Sequence, residues 1–224
     1  MAKVVIGIPV GKDFQVDIRT AGYCAEEAKN TNVKVSAFPV AGVEWGYAST
    51  RDAGVGRDAI AYFALKDPDV THVYFMDYDV VPPTGTLQKL LSYDVPIAAG
   101  IYPMVSYQHA VWSFKVNDKW WPVSKPLPKG LVEADTIGGS TTLIKREVFE
   151  SIERPWYKMD YHPISDTGVY LDLGEDEYFS VLVRKAGYKI IADPTIICDH
   201  FNYRSLLTLA TGYTMEYQSL LGAK

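Results

Sequence analysis

Residues 71–83, reading THVYFMDYDVVPP, constrain the fold of this chain more than any other stretch. Val73, Tyr74, Phe75 and Met76 form a short apolar run that suits a strand buried on both faces. The run stops at Asp77-Tyr78-Asp79, and Pro82 and Pro83 prevent any continuation. In an extended chain alternate side chains share a face, so Asp77 and Asp79 are expected on one side, with Tyr78 opposite. Two carboxylates so placed repel unless a cation lies between them. Mg²⁺ and Mn²⁺ prefer such oxygen ligands and keep positions open for phosphates. Asp is also common where strands end, so a turn-forming role stands beside the metal-binding one. Position favours the ligand, because open α/β sheets bind beyond the carboxyl ends of their strands.

The flanking sequence alternates in type. Strands are expected at 3–10, 33–40 and 95–100, and helices at 16–29, 57–65 and 86–91. Residues 42–56, rich in Gly and Ser, read as a loop over the site. Such alternation predicts a mostly parallel sheet with helices on both faces. Later comes a small antiparallel hairpin over 111–121 turning at Asn117-Asp118, then a strand at 135–144 and a helix at 145–152. Residues 155–174 lack a clear period and read as a mobile loop. A helix over 176–187 capped by Gly187, strands at 190–192 and 195–198, and a closing helix at 205–221 complete one domain over residues 1–224.

The net charge of −5, without a basic run, argues against a nucleic-acid partner. Cys24 and Cys198 have no metal or redox spacing. The chain enters its first strand without a signal peptide, and no apolar run spans a bilayer, so a cytoplasmic protein is expected.

Several other residues carry chemistry. Glu175, Asp176 and Glu177 open a helix, where acids favour the dipole but also supply a general base. His200 ends a strand as a metal ligand or as an ordinary packed histidine. His72 reads as structural, whereas His109 and His162 lie in loops near an acceptor entrance. Arg51 and Arg57 are phosphate-binding candidates or solvated charges. Asp135, Gly138 and Gly139 make either a tight turn or a place where a ligand approaches closely. Trp112, Trp120, Trp121 and Trp156 stack on a sugar or fill the core.

Taken in order, THVYFMDYDVVPP, AAGIYP, DTIGGSTTLIKREVF and GEDEYFSVLVRKAGYKIIADPTIICDH, after a proline-bearing first strand and an Arg-led helix, make a pattern over nearly the whole chain. It resembles the GT-A class of glycosyltransferases, especially compact family-2-like enzymes of bacteria and phages. The resemblance implies that Asp77 and Asp79 are the D-x-D pair holding Mn²⁺ or Mg²⁺ on the diphosphate of a nucleotide sugar, with His200 as a further metal ligand. It implies that Asp176, or else Glu175, is the base facing the acceptor hydroxyl, as in inverting members. Pro9, Val10 and Arg57 match positions lining the nucleotide, and Tyr78 and Gly139 join them as donor contacts. Asp58 departs from the pattern, since relatives often carry Asn there, and residues 157–170 do not align.

The implied activity is transfer of a sugar from a UDP- or GDP-sugar to an acceptor hydroxyl. A nucleotidyltransferase is the nearest alternative, but IPVGKDF is a poor match to its Gly-rich loop. A non-catalytic carbohydrate- or nucleotide-sugar-binding module would need no base such as Asp176. A P-loop and a dinucleotide fingerprint are both missing from the sequence.

Overall fold

A computed structural model describes residues 2–10, 16–29, 34–39, 53–106, 109–164 and 169–201. The first half runs β1 (Lys3–Ile8), α1 (Ile18–Lys29), β2 (Lys34–Pro39), α2 (Ala53–Ala64), β3 (His72–Phe75), β4 (Val80–Val81), α3 (Thr86–Ser92) and β5 (Ile97–Ile101). A group of strands follows: β6 (Pro103–Ser106), β7 (His109–Val116), β8 (Lys119–Pro122), β9 (Val132–Ala134), β10 (Thr136–Ile137) and β11 (Thr142–Lys145). The remainder is α4 (Arg146–Ser151), β12 (Asp160–Ile164), β13 (Val169–Leu173), α5 (Glu175–Lys185), β14 (Ile190–Ile197) and β15 (Asp199–His200).

The central sheet has the order β2-β1-β3-β11-β5-β14-β9. β1 lies parallel to β2 and β3, and β14 lies parallel to β5. β11 is antiparallel to both β3 and β5, and β9 is antiparallel to β14. Five of these strands therefore run one way and two the other, the mostly parallel sheet that the alternation of elements predicts.

Strand periodicity separates the core into two layers. Val4, Ile6, Tyr74, Met76, Ala98 and Leu143 pack beneath Tyr23 and Cys24 of α1 and Leu87 and Leu90 of α3. Their strand neighbours Val5, Val73, Phe75, Ile97, Ala99 and Ile144 pack beneath Ile60 and Ala61 of α2, Phe149 of α4 and Phe179 of α5. Each fully buried aliphatic or aromatic side chain contributes roughly 1.5–3 kcal/mol. Helices thus cover both faces, and β3 and β5 are packed between them.

The hairpin forms at β7 and β8, with Asn117 and Asp118 at φ 54° and 55°, the left-handed pair that a tight hairpin turn demands. Gly187, at φ 89°, follows α5 as expected of a helix C-terminal glycine.

Four expectations are corrected. Residues 53–56, read as loop, open α2, because Gly56 sits against the end of β1, where an added Cβ would be 3.0 Å from the Pro9 Cβ. The expected strand at 135–144 is broken into β10, which pairs with β7, and β11, which enters the central sheet. The chain turns between them, with Thr141 at φ 55°. The expected loop at 155–174 contains the β12–β13 hairpin, which pairs outside the central sheet and so is not held to the alternation of a core strand. The strands expected at 190–192 and 195–198 merge into β14, whose register shifts between Ala192 and Ile197. The expected helix at 205–221, the loop over 42–52 and Arg51 lie outside the described residues. Among the described residues no helix is long and apolar enough to cross a membrane.

Candidate functional site

The site begins where β3 ends. Met76 N–H donates to the Gly7 carbonyl at 3.0 Å, and Asp77 N–H donates to Ser140 Oγ at 2.8 Å. Asp77 and Asp79 do not lie in an extended strand, because the chain turns here and Val80 N–H donates back to the Asp77 carbonyl at 3.3 Å. Their side chains accordingly take different partners. Asp77 accepts from Arg57 Nη2. Asp79 Oδ2 lies 3.6 Å from His200 Nε2.

His200 reaches this position because β15 pairs antiparallel with β4, aligning His200 with Val80, and Phe201 N–H donates to the Asp79 carbonyl at 2.8 Å. Its Nδ1–H donates to the Pro103 carbonyl at 2.9 Å, and the Tyr102 ring packs edge-on at 5.3 Å. Burial disfavours the imidazolium, but Asp79 and the Pro103 carbonyl outweigh it and raise its proton affinity. Burial raises the proton affinity of Asp77 despite the opposing charge of Arg57, and nearby Asp79 adds to the rise.

The second acidic group comes from the first turn of α5. Glu175 Oε1 accepts from Arg57 Nη1 at 2.6 Å, and Glu177 pairs with Lys115 of β7. Asp176 Oδ1 accepts the Glu177 N–H at 2.8 Å. Burial, then the neighbouring Glu175 carboxylate, push the Asp176 carboxyl up to about 7, with Arg57 opposing.

Arg57 therefore joins the two acidic groups. It is only 2 % exposed, and its Nε has no hydrogen-bond partner among the described residues. Gly139 lies directly against it: a Cβ there would be 2.5 Å from the guanidinium carbon. The close approach that Gly139 permits is thus to Arg57. Asp58, the next residue, turns away and accepts from Arg154 and from Trp156 N–H at 2.8 Å.

Other candidates are dispersed. Pro9 is buried at the end of β1 and Val10 is partly buried beside it. Tyr78 is 43 % exposed at the lip, and its carbonyl accepts Asp17 N–H at 2.9 Å. Asp135 accepts Asp118 N–H at 2.9 Å and pairs with Arg184, a hairpin-bracing role. Trp112 and Trp156 are buried in the core, and Trp121 stacks on Phe114. Trp120 lies beneath Lys115, near Glu177. His72 bonds to Thr71, and burial lowers it to about 4. His109 opens β7 and His162 lies within β12 rather than in loops, and their side chains lie outside the described residues. Ser140, Tyr102 and Lys115 also belong to the site; Tyr102 and Ser140 fall within the AAGIYP and DTIGGSTTLIKREVF motifs, whereas Lys115 has no local signal.

Among the described residues no group of three or more His, Cys, Asp or Glu is gathered closely enough to hold a metal ion. The Asp79–His200 pair nevertheless suits part of such a site. An imidazole that donates Nδ1–H to a backbone carbonyl keeps Nε2 as its ligating atom. One carboxylate and one imidazole leave positions for phosphate oxygens and water, the habit of Mg²⁺ and Mn²⁺. Asp77 differs, since one of its oxygens is engaged by Arg57.

No protein-family model matches the chain, and no curated protein does. Solved structures do. The chain superimposes on A197 from STIV with a TM-score of 0.57 at 20 % identity, covering 90 % of this chain and 86 % of that one. It is also similar to GalNAc-T7 solved with UDP, GalNAc and Mn²⁺, with a TM-score of 0.46 at 12 % identity over 89 % of this chain and 44 % of that one. The inositol-1-phosphate CTP transferase from T. maritima is similar with a TM-score of 0.46 at 8 % identity, covering 97 % of this chain and 96 % of that one. The sheet order, the helices on both faces and the superposition on A197 together give this chain the GT-A fold.

Proposed function

We propose that this chain is a metal-dependent glycosyltransferase that moves a sugar from a UDP- or GDP-sugar to an acceptor hydroxyl, with inversion at the anomeric carbon. The observation that carries this reading is the convergence of two acidic groups on one guanidinium, beside an aspartate whose carboxyl is pushed up to about 7. In this reading Asp79 and His200 hold Mn²⁺ or Mg²⁺, with Asp77 alongside. When bound, that ion neutralises the negative charge that gathers on the departing diphosphate. Pro9, Val10 and Tyr78 line the donor, and Gly139 serves by seating Arg57.

Asp176 takes the proton that the acceptor hydroxyl loses as it attacks. A base works best when its proton affinity lies near the working pH, and the Asp176 carboxyl fits that need. Glu177 N–H holds Oδ1, which favours Oδ2 as the oxygen that receives the proton. Glu175, committed to Arg57, positions that guanidinium. A cytoplasmic location, with access to newly made sugar nucleotides, is part of this proposal.

The test is incubation with Mn²⁺ and each common UDP- and GDP-sugar. Release of nucleoside diphosphate, with the opposite anomer in the product, is expected. Release of pyrophosphate from a nucleoside triphosphate would replace this reading with a nucleotidyltransferase, and tight binding without turnover would replace it with a binding module.

A further inference from the structure

We infer that Arg57 is a positioning residue, a single buried guanidinium that sets the donor-side carboxylate Asp77 against the acceptor-side first turn of α5. The words donor and acceptor rest on the glycosyltransferase reading. The link itself rests on geometry.

The fork is divided. Nη2 donates to Asp77, 20 residues away, and Nη1 to Glu175, 118 residues away. An arginine that only neutralised a buried acid would do best with two parallel bonds to one carboxylate. Here each carboxylate has one arm, and Nε is left buried without a partner among the described residues, an arrangement that costs stability. What the split provides instead is a connection between the end of β3 and the start of α5.

The seat of the guanidinium is built for that position. Gly139 leaves bare backbone against it, where a Cβ would be 2.6 Å from both Nε and Nη2. The next residue, Ser140, accepts the Asp77 backbone N–H at 2.8 Å. One short turn thus fixes both partners of the ion pair. At the other end, Asp58 anchors α2 through Arg154 and Trp156 N–H. Arg57 is therefore held on three sides, and movement of Glu175 is passed to Asp77 rather than absorbed by a loose side chain. A group on the acceptor side accordingly alters donor affinity without touching the donor.

Two measurements test this. The first is urea unfolding of Asp77→Asn, Glu175→Gln and the double variant, each with Arg57 and with Arg57→Met. The two substitutions should be non-additive by about threefold or more in the folding equilibrium constant while Arg57 is present, and additive without it. If Arg57→Met does not fold, Gly139→Ala displaces the guanidinium without changing any charge and takes its place. Additivity in both backgrounds overturns the link.

The second measurement is calorimetric binding of Mn²⁺ with UDP and with GDP. Glu175→Gln should weaken the bound nucleotide by about threefold or more, and Gly139→Ala should abolish that effect. Arg57→Lys, which keeps the charge but not the fork, should behave as Arg57→Met does. A role confined to stabilising α5 would leave nucleotide affinity in Glu175→Gln unchanged, and that result overturns the positioning role. If the unaltered chain binds neither nucleotide, the glycosyltransferase reading falls, while the unfolding measurement still decides the link.

Discussion

The acidic residues that follow β3 and those that open α5 differ in how their charge is compensated. After β3, Asp77 has the Arg57 guanidinium and Asp79 faces His200. In α5, Glu175 has Arg57 and Glu177 has Lys115, but among the described residues the Asp176 carboxylate between them is hydrogen-bonded to a backbone N–H and pairs with no cation. Its carboxyl is pushed up by burial and by Glu175. Carboxylates bonded to a cation keep their charge; for Asp176, burial and the neighbouring carboxylate outweigh the pull of Arg57, and the carboxyl holds its proton more tightly. Under the proposed function, that contrast gives binding to one acidic group and proton transfer to one member of the other.

The largest expected effect separates those two tasks. Asp176→Asn should lower kcat by about 10²–10⁴-fold while leaving Mn²⁺–nucleotide affinity intact. The same variant should raise Tm at pH 8, because it removes a charge the fold disfavours. A lower Tm would show that Asp176 is compensated after all and would erase the contrast.

Next in size, Asp79→Ala and His200→Ala should each weaken metal-dependent nucleotide binding by about tenfold or more, measured by calorimetry with Mn²⁺. Unchanged affinity in both would remove the metal from the β3 side.

A smaller effect is expected in the pH profile. The base must be ionised, so kcat/KM should fall as pH drops below about 7, the value to which Asp176 is raised. Glu175→Gln removes the like charge that contributes to the rise, so the midpoint should move down. Stability changes in the opposite sense. The folded state holds this proton more tightly than the unfolded chain, so the Asp176 contribution is present at low pH and is lost as pH rises through about 7. Urea unfolding against pH should show that decline in the unaltered chain and lose it in Asp176→Asn.

The smallest effect is a control far from both acidic groups. Lys189 and Glu133 form an ion pair at 2.7 Å with both side chains largely exposed. Lys189→Ala should change stability by less than about 0.5 kcal/mol and leave turnover unchanged.

Much of this was legible locally. The apolar run before Asp77 marks a buried strand whatever lies around it, and the acids from 175 to 177 mark a helix start. The hairpin turn at Asn117-Asp118 follows from residues that tolerate positive φ. Other features had no local signature. Arg57 and Glu175 are 118 residues apart, and no spacing rule connects them. The β12–β13 hairpin was missed because its pairing lies outside the central sheet. The glycines at 54 and 56 read as loop, although helix α2 uses the space at Gly56 to approach Pro9.

Sequence alone determined which segments become buried strands and covering helices, because hydrophobic period and turn chemistry act over a few neighbouring residues. Only the tertiary structure decided which carboxylate received a cation. That choice depends on distances across the sheet: Arg57 pairs with Asp77 and Glu175, His200 faces Asp79, and Asp176 feels Arg57 only at a distance. Electrostatic energy follows separation and burial in space, and neither is written in the order of the residues.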